Sequence, residues 1–472
     1  MQVGMLRRSI GGLLAVCMIL SAVPAGAAEK AAPRHASQKN TGGAERAMKE
    51  ITAQAERVHP AQAQQEAQLS SVLLHWQPVP AAVRYAVRVL RADAHGQMKT
   101  LDTMNRVYTT GLHVPLASYG STDNLYWTVQ PLDYDGAPIA AESTPRPIVG
   151  ETADPAAPVL TAQFGEMPYA PLYPVYAWIP LSGQQHHEVE VYRRAGGRDI
   201  YLHTLQAGEY DVYDDEAFTV PGEYFYRVRG TTGAGTPISE WSENGTFTVA
   251  DRTPIAALGD SITHGGGAIT VPPSYTLYDW ESYCSVPVKN LGHSGDTTAA
   301  MLARFERDVL PFSPRVLIIM GGVNDYRVGI YGAETVRNLA ALREKCKAHG
   351  ITPIFLTVTP IRPAMMTARM TIQTPPSDWW AHRDYINNWV MQQEYSLDVS
   401  SVLADADGEL EAGYTTDGLH PDLMGKKYIG ERVDAYLRTH FAYVAQQAER
   451  HVRILREDKG IADKMKSALP KE

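Results

Sequence analysis

Apolar and polar positions follow three successive rhythms along the chain. Ile10 to Val23 is an apolar run behind Arg7 and Arg8, and it ends at the small residues Ala25, Gly26 and Ala27. Residues 28 to about 65, rich in Ala, Gln, Glu and Lys, show no core-forming pattern beyond a short helical stretch at Ala44–Val58, and predict a linker. From about Ser70 the period becomes two. Val72–Trp76, Tyr85–Leu90 and Leu125–Val129 alternate apolar and polar positions, with turn residues such as Pro78, Gly120 and Gly136 between them. The pattern recurs at Val175–Trp178, Glu188–Tyr192 and Tyr224–Val228, so two all-β sandwiches are predicted, over 66–150 and 151–250. Near Thr253 short apolar strands begin to alternate with amphipathic helices. The strands are Ile255–Leu258, Val286–Asn290, Val316–Met320, Pro353–Thr357 and Tyr395–Val399, and the helices Thr298–Val309, Glu334–His349 and Ala381–Glu394. That grammar predicts a three-layer α/β domain with a parallel sheet over 251–440. A helix follows His420, and 441–472 reads as a helical tail that packs back on the body or on a neighbour. The chain is therefore multidomain.

Both β units resemble fibronectin type III-like modules, with an early Trp (Trp76, Trp178) and a late aromatic strand. They are expected to act as spacers or packing modules, with glycan contact through surface aromatics as the alternative.

Composition narrows the function. A net charge of −9 lacks the basic face that nucleic acid requires. The positive start, short apolar run and Ala-Gly-Ala predict a signal peptide over 1–27, hence an exported protein: periplasmic, cell-surface or extracellular. The apolar run is short of the roughly 20 residues a bilayer requires, so no membrane span is expected after cleavage. Leu14-Ala15-Val16-Cys17 approaches a lipobox, but Val16 stands where a small residue belongs. Of the 3 cysteines only Cys284 and Cys346 follow this leader. Cys346 shares a helical face with Val336, Leu339 and Leu342, and is expected to be a buried small hydrophobe rather than half of a disulfide.

In open α/β sheets ligands bind beyond the carboxyl ends of the strands. Four blocks stand there: Gly259-Asp260-Ser261-Ile262-Thr263, Asn290-Leu291-Gly292-His293-Ser294-Gly295, Gly321-Gly322-Val323-Asn324-Asp325, and Asp417-Gly418-Leu419-His420-Pro421. They hold the parts of nucleophilic acyl transfer. Ser261 needs a base, which His420 supplies, and Asp417 three residues earlier can orient that base. The oxyanion needs donors, available from the Ser261 and Gly292 N–H groups and the Asn324 amide. Asp260 is expected to hold the nucleophile turn, and His264 and His293 to be wall or surface residues without a carboxylate partner. No metal-ligand or phosphate-loop spacing is present, so neither metal nor cofactor is expected.

In this order the four blocks resemble the signature of the SGNH (GDSL) hydrolases, over about 253–440. The resemblance implies an SGNH/flavodoxin-like fold and a serine esterase with Ser261, His420 and Asp417 as triad and Ser261, Gly292 and Asn324 as oxyanion hole. The Gly-x-Ser-x-Gly elbow of α/β-hydrolases is absent, since Thr263 replaces the second Gly. The family spans glycan deacetylation, lipid acyl hydrolysis and thioester hydrolysis. An acylated carbohydrate is the expected partner, a lipid ester the runner-up, and a surface scaffold with an incidental hydrolase domain the third reading. The aperiodic segment Thr359–Trp380 is expected to shape the pocket, with Trp379 and Trp380 binding substrate. A fragment beginning near Ala250 is expected to fold alone.

Overall fold

The computed structural model describes residues 71–148, 156–267, 271–370 and 372–468. The residues of the expected leader, lipobox-like segment and linker helix lie outside the described residues.

The first unit has strands β1 (Ser71–His75), β2 (Arg84–Ala92), β3 (Met98–Val107), β4 (Gly111–Pro115), β5 (Leu125–Leu132) and β6 (Arg146–Pro147). They form two antiparallel sheets, β1-β4 and β3-β2-β5-β6. Both sheets contribute to one apolar cluster, in which Val72, Leu74 and Trp76 meet Tyr85, Val87, Val89, Trp127 and Val129. The second unit repeats the plan with β7 (Val159–Leu160), β8 (Val175–Ile179), β9 (His186–Ala195), β10 (Arg198–Ala207), β11 (Asp211–Tyr213), β12 (Gly222–Thr231) and β13 (Gly245–Val249). Its sheets run β11-β8-β7 and β10-β9-β12-β13. β9 shows the expected period of two, burying His187, Val189 and Val191 while Glu188 and Glu190 face outward and pair with Arg229 and Arg227.

The third unit is built on five parallel strands: β14 (Ile255–Gly259), β15 (Lys289–Gly292), β16 (Val316–Met320), β17 (Thr352–Leu356) and β18 (Ser396–Leu397). β14 and β16 are buried at every residue, as central strands covered on both faces must be. The helices are α1 (Ser261–His264), α2 (Thr298–Asp308), α3 (Val323–Arg327), α4 (Gly332–Ala348), α5 (Pro363–Arg369), α6 (Trp379–Val390), α7 (Leu423–His440) and α8 (Ala442–Ala468). The strand order β15-β14-β16-β17-β18 reverses direction beside β14. The crevice at the carboxyl ends of β14 and β16 is therefore the topological switch point of the sheet, where such folds place ligands.

The expected second strand starts later than its sequence pattern suggests, at Lys289 rather than Val286, since Pro287 cannot donate to a ladder. The aperiodic segment after β17 contains the short helix α5. The tail is the long helix α8, and it packs back on the body: Val452 and Leu455 lie against Tyr169 and Ala250 of the second unit. Cys284 and Cys346 are both free thiols, and Cys346 is fully buried.

Candidate active site

The turn after β14 is held from four sides. Gly259 closes the strand where an added Cβ would lie 2.8 Å from the Met320 carbonyl oxygen of β16. Asp260 caps α1, its Oδ1 accepting from Ile262 N at 3.0 Å. Burial raises its carboxyl to about 7, against the opposing pull of that hydrogen bond and of the His420 charge. Lys426 of α7, fully buried, donates to the Ile262 carbonyl at 2.6 Å. Arg304 of α2 donates to the carbonyls of Gly259 and Leu291 at 2.9 and 2.8 Å, tying β14 to β15 at their carboxyl ends.

Ser261 is thereby fixed with its Oγ 2.9 Å from His420 Nε2. His420 Nδ1 stands 2.7 Å from Asp417 Oδ2. A carboxylate can only accept, so Nδ1 carries the ring proton and Nε2 is free to accept from Ser261. Asp417 Oδ1 accepts from the backbone N–H groups of Leu419 and His420, each at 2.8 Å, so one carboxylate shapes the turn and aims the ring. Burial would raise the Asp417 carboxyl, but the His420 charge and these hydrogen bonds outweigh it and hold it below its ordinary value.

Asn324, in α3 after β16, is 3% exposed and donates Nδ2 to the Asp296 carbonyl at 2.9 Å. Its neighbour Asp325 is fully buried and accepts from Thr298 N and Oγ1 at 2.9 and 2.5 Å and from Thr335 Oγ1 at 3.2 Å, which locks α3 between α2 and α4.

Gly292 departs from the expectation for an oxyanion donor. Its N–H donates to Asn290 Oδ1 at 2.8 Å, and the residue is buried at the end of β15 against the His264 backbone. The glycine that faces open space is Gly295, three residues on, in a turn with φ +89°. Among the described residues its N–H has no acceptor, and the next residue, Asp296, is the one Asn324 touches. Both neighbouring histidines are also more engaged than expected. His264 is buried, with Nε2 2.7 Å from the Tyr173 carbonyl and Nδ1 2.9 Å from Ser294 Oγ. His293 does have carboxylate partners, Asp296 Oδ1 at 3.0 Å and Asp215 Oδ1 of the second β unit at 3.4 Å. The spacing of three to Asp296 was the signal available in the sequence, whereas Asp215 lies in a distant strand connection.

The two tryptophans separate. Trp379 is 6% exposed, opens α6 and packs on Tyr326 at 5.8 Å between ring centroids. Trp380, at 54% exposure, faces outward.

The GDSL-like Lipase/Acylhydrolase family matches residues 257–428. A Bacillus subtilis protein named uncharacterized lipoprotein YqeF is 36% identical over 83 residues, which is 16% of this chain and 34% of that protein. The chain thus spans about a third of the length of that relative. Among solved structures, a lipase/acylhydrolase from Enterococcus faecalis is 22% identical, over 40% of this chain and 96% of that one, with a TM-score of 0.33. A catalytic mutant of an acetylxylan esterase from Geobacillus stearothermophilus is 19% identical, over 39% and 93%, with a TM-score of 0.30. Among the described residues no helix is long and apolar enough to cross a membrane. The C-terminal region of this chain is a GDSL-like lipase/acylhydrolase domain of the SGNH type, the class of hydrolase that acts on esters.

Proposed function

We propose that the chain is an exported serine esterase that removes short acyl groups, acetyl above all, from a glycan. The observation that carries the esterase reading is the unbroken chain of contacts from Ser261 Oγ through His420 to Asp417, at 2.9 and 2.7 Å. In this reading His420 Nε2 takes the Ser261 proton as Oγ attacks the ester carbonyl. The developing oxyanion is held by the N–H groups of Ser261 and Gly295 and by Asn324 Nδ2. Gly295 replaces Gly292 in this role. His420 then gives its proton to the departing alcohol oxygen, leaving an acyl-Ser261 ester. Water, deprotonated by the same nitrogen, releases the carboxylate and restores the serine.

The glycan preference rests on the polarity of the loop that follows β15 at the carboxyl end of the sheet. His293, Ser294, Gly295 and the exposed Asp215 give hydrogen-bonding surface suited to a sugar hydroxyl rather than to a hydrocarbon chain. The two antiparallel units, over 66–150 and 151–250, are read as fibronectin type III-like sandwiches. Export rests on the leader-like residues 1–27.

A panel of chromogenic esters from acetyl to palmitoyl, followed by acetylated xylan and acetylated peptidoglycan, tests the reading. Activity should peak at acetyl, and Ser261→Ala should abolish it by on the order of 10⁶ with an unchanged melting curve. A peak at long chains would transfer the assignment to lipid acyl hydrolysis. A tenth of the wild-type rate surviving in Ser261→Ala would remove Ser261 from the chemistry.

A further inference from the structure

A carboxamide is nearly symmetric in shape, so Asn324 could occupy its place with oxygen and nitrogen exchanged. The exchanged amide would turn its carbonyl oxygen toward the developing oxyanion and repel it. At 3% exposure little water reaches Asn324 to settle the orientation, so its protein partners must do so.

Two partners are present. The Asp296 carbonyl accepts from Nδ2 at 2.9 Å. On the other side, Arg327 donates Nε to Oδ1 at 3.1 Å. Arginine has only donors, so the end of the amide it touches must be the oxygen. The two residues stand three apart in α3 and so share a face of that helix. With Oδ1 held by Arg327 and one amide hydrogen held by Asp296, a single N–H of Asn324 is left to point elsewhere. The contact is charge-assisted, which polarises the amide and makes that remaining N–H a better donor.

We propose that Arg327 is a positioning residue of the esterase site, fixing through its Nε the orientation in which Asn324 presents an N–H to the oxyanion. The inference rests on the serine-esterase reading above. Burial lowers the guanidinium pKa and the nearby Asp260 opposes that shift, yet arginine remains charged throughout the accessible pH range. The role is therefore constant in pH. It is also separate from direct catalysis, since Arg327 acts on the reaction only through Asn324.

A double-mutant cycle tests this with Arg327→Met, Asn324→Ala and the double variant, assayed for kcat and KM on p-nitrophenyl acetate beside melting curves. Arg327→Met should lower kcat about ten-fold, the scale of one charge-assisted hydrogen bond, with KM nearly unchanged. Asn324→Ala should lower kcat by about 10²–10³. In the Asn324→Ala background, Arg327→Met should have no further effect. Arg327→Lys, which keeps a donor on a flexible stem, should recover part of the loss. A factor that multiplies onto Asn324→Ala would mean that Arg327 acts on the substrate by itself, and a loss confined to KM would make it a binding residue; either overturns the proposal. An unchanged kcat in Arg327→Met, with Ser261→Ala inactive, overturns the positioning role and leaves the esterase reading standing. Should Ser261→Ala stay active, the esterase reading and this inference both fall. A fall in melting temperature shared by Arg327→Met and Arg327→Lys, without the kcat contrast between them, would reduce Arg327 to a structural residue.

Discussion

Gly292 ends β15 and Gly295 lies in the turn that follows, and what divides them is the occupation of their N–H groups. The Gly292 N–H is held by Asn290 Oδ1, while that of Gly295 has no acceptor among the described residues. Gly292→Ala would bring its new Cβ within 2.2 Å of His264 N, so it should lower the melting temperature and activity together. Gly295→Ala meets no atom, but its φ of +89° strains any L side chain by about 1–3 kcal/mol and swings the N–H. Its kcat should fall by about 10²–10³, as for loss of one oxyanion donor, with KM little changed. Equal kcat in Gly295→Ala and wild type would return the donor role to another group. The block containing both glycines was legible in the sequence. The choice between them was not, because it depends on where the Asn290 side chain turns. His264 shows the same limit, since its partners Tyr173 and Ser294 come from the second β unit and from the next block. Burial drives the His264 pKa down to about 3, against the bond to the Tyr173 carbonyl. The unfolded chain protonates this ring near the ordinary 6.5, so between those values the unfolded state binds more protons. Stability should therefore fall as pH drops through that window, this residue contributing up to about 1.4 kcal/mol per pH unit. His264→Gln, which keeps a donor and an acceptor without titrating, should flatten the slope in urea unfolding between pH 6.5 and 4.5. Identical slopes in the two proteins would refute the buried neutral ring.

At the scale of elements, strands that bury a face were readable and strands that bury none were not. β8, β14 and β16 are apolar throughout and buried at every position. β3 is exposed at eight of its ten residues, and β10 is exposed or half-buried along its whole length, so neither carries a period of two. Their pairing with β2 and β9 is set by the hairpin turns at Gly96 and Gly196-Gly197, all at positive φ. The segment after β17 carries no periodic pattern because α5 is only seven residues long and buries a single side chain, Met366. It is nonetheless fastened. Arg362 N donates to the Gly418 carbonyl at 2.7 Å, and Arg369 donates to the Thr416 carbonyl at 2.9 Å and to Asp135 at 3.3 Å. α5 thus braces the loop that carries Asp417 and His420, and a turn of the first β unit braces α5. At the start of α6, Trp379 and Trp380 make opposite predictions. Trp379→Ala removes a buried ring from Tyr326 and should cost about 3–5 kcal/mol of stability. Trp380→Ala should change stability by less than about 0.5 kcal/mol, and any effect it has should appear in KM on a polymeric ester. If calorimetry finds the two variants equally stable, the assignment of Trp379 to the core is wrong.

At the scale of the whole molecule, the two β units relate differently to the hydrolase domain. The first has a core of its own, centred on Trp76, Val87 and Trp127. The second shares one continuous core with the hydrolase domain, in which Phe164, Tyr176 and Trp178 belong to the same cluster as Ile255, Leu291 and Phe312. Polar contacts follow the same seam. Leu172 N donates to the Asn290 carbonyl at 3.0 Å, the Tyr173 hydroxyl to Asp308 at 2.6 Å, and His264 Nε2 to the Tyr173 carbonyl at 2.7 Å. Lys289 is buried, and its ammonium donates to the Ala170 carbonyl. Burial already depresses that amine to about 7. The alternating strands and helices after Thr253 suggest a self-sufficient fragment from Ala250, because periodicity reports which face of an element is covered but not by which unit. In that fragment His264, Lys289 and Asp308 would each lose a partner, and the apolar seam would meet water. A chain of 251–472 should therefore aggregate or unfold without cooperativity, since unpaired buried polar groups cost about 1–3 kcal/mol each against a net stability of only about 5–15 kcal/mol. A chain of 156–472 keeps the seam intact and should unfold cooperatively and hydrolyse acetyl esters. It loses the brace on α5 and the first unit's packing on Tyr210, Tyr275 and Tyr278, but none of the residues placed around Ser261, so its kcat should fall by less than about ten-fold, the scale of the contacts that Asp135 and Tyr134 make to Arg369. The decisive measurement is calorimetry beside an acetyl-ester assay on both fragments. A monomeric 251–472 with a sharp transition and wild-type kcat would show that the second β unit is an appendage rather than a wall of the catalytic body.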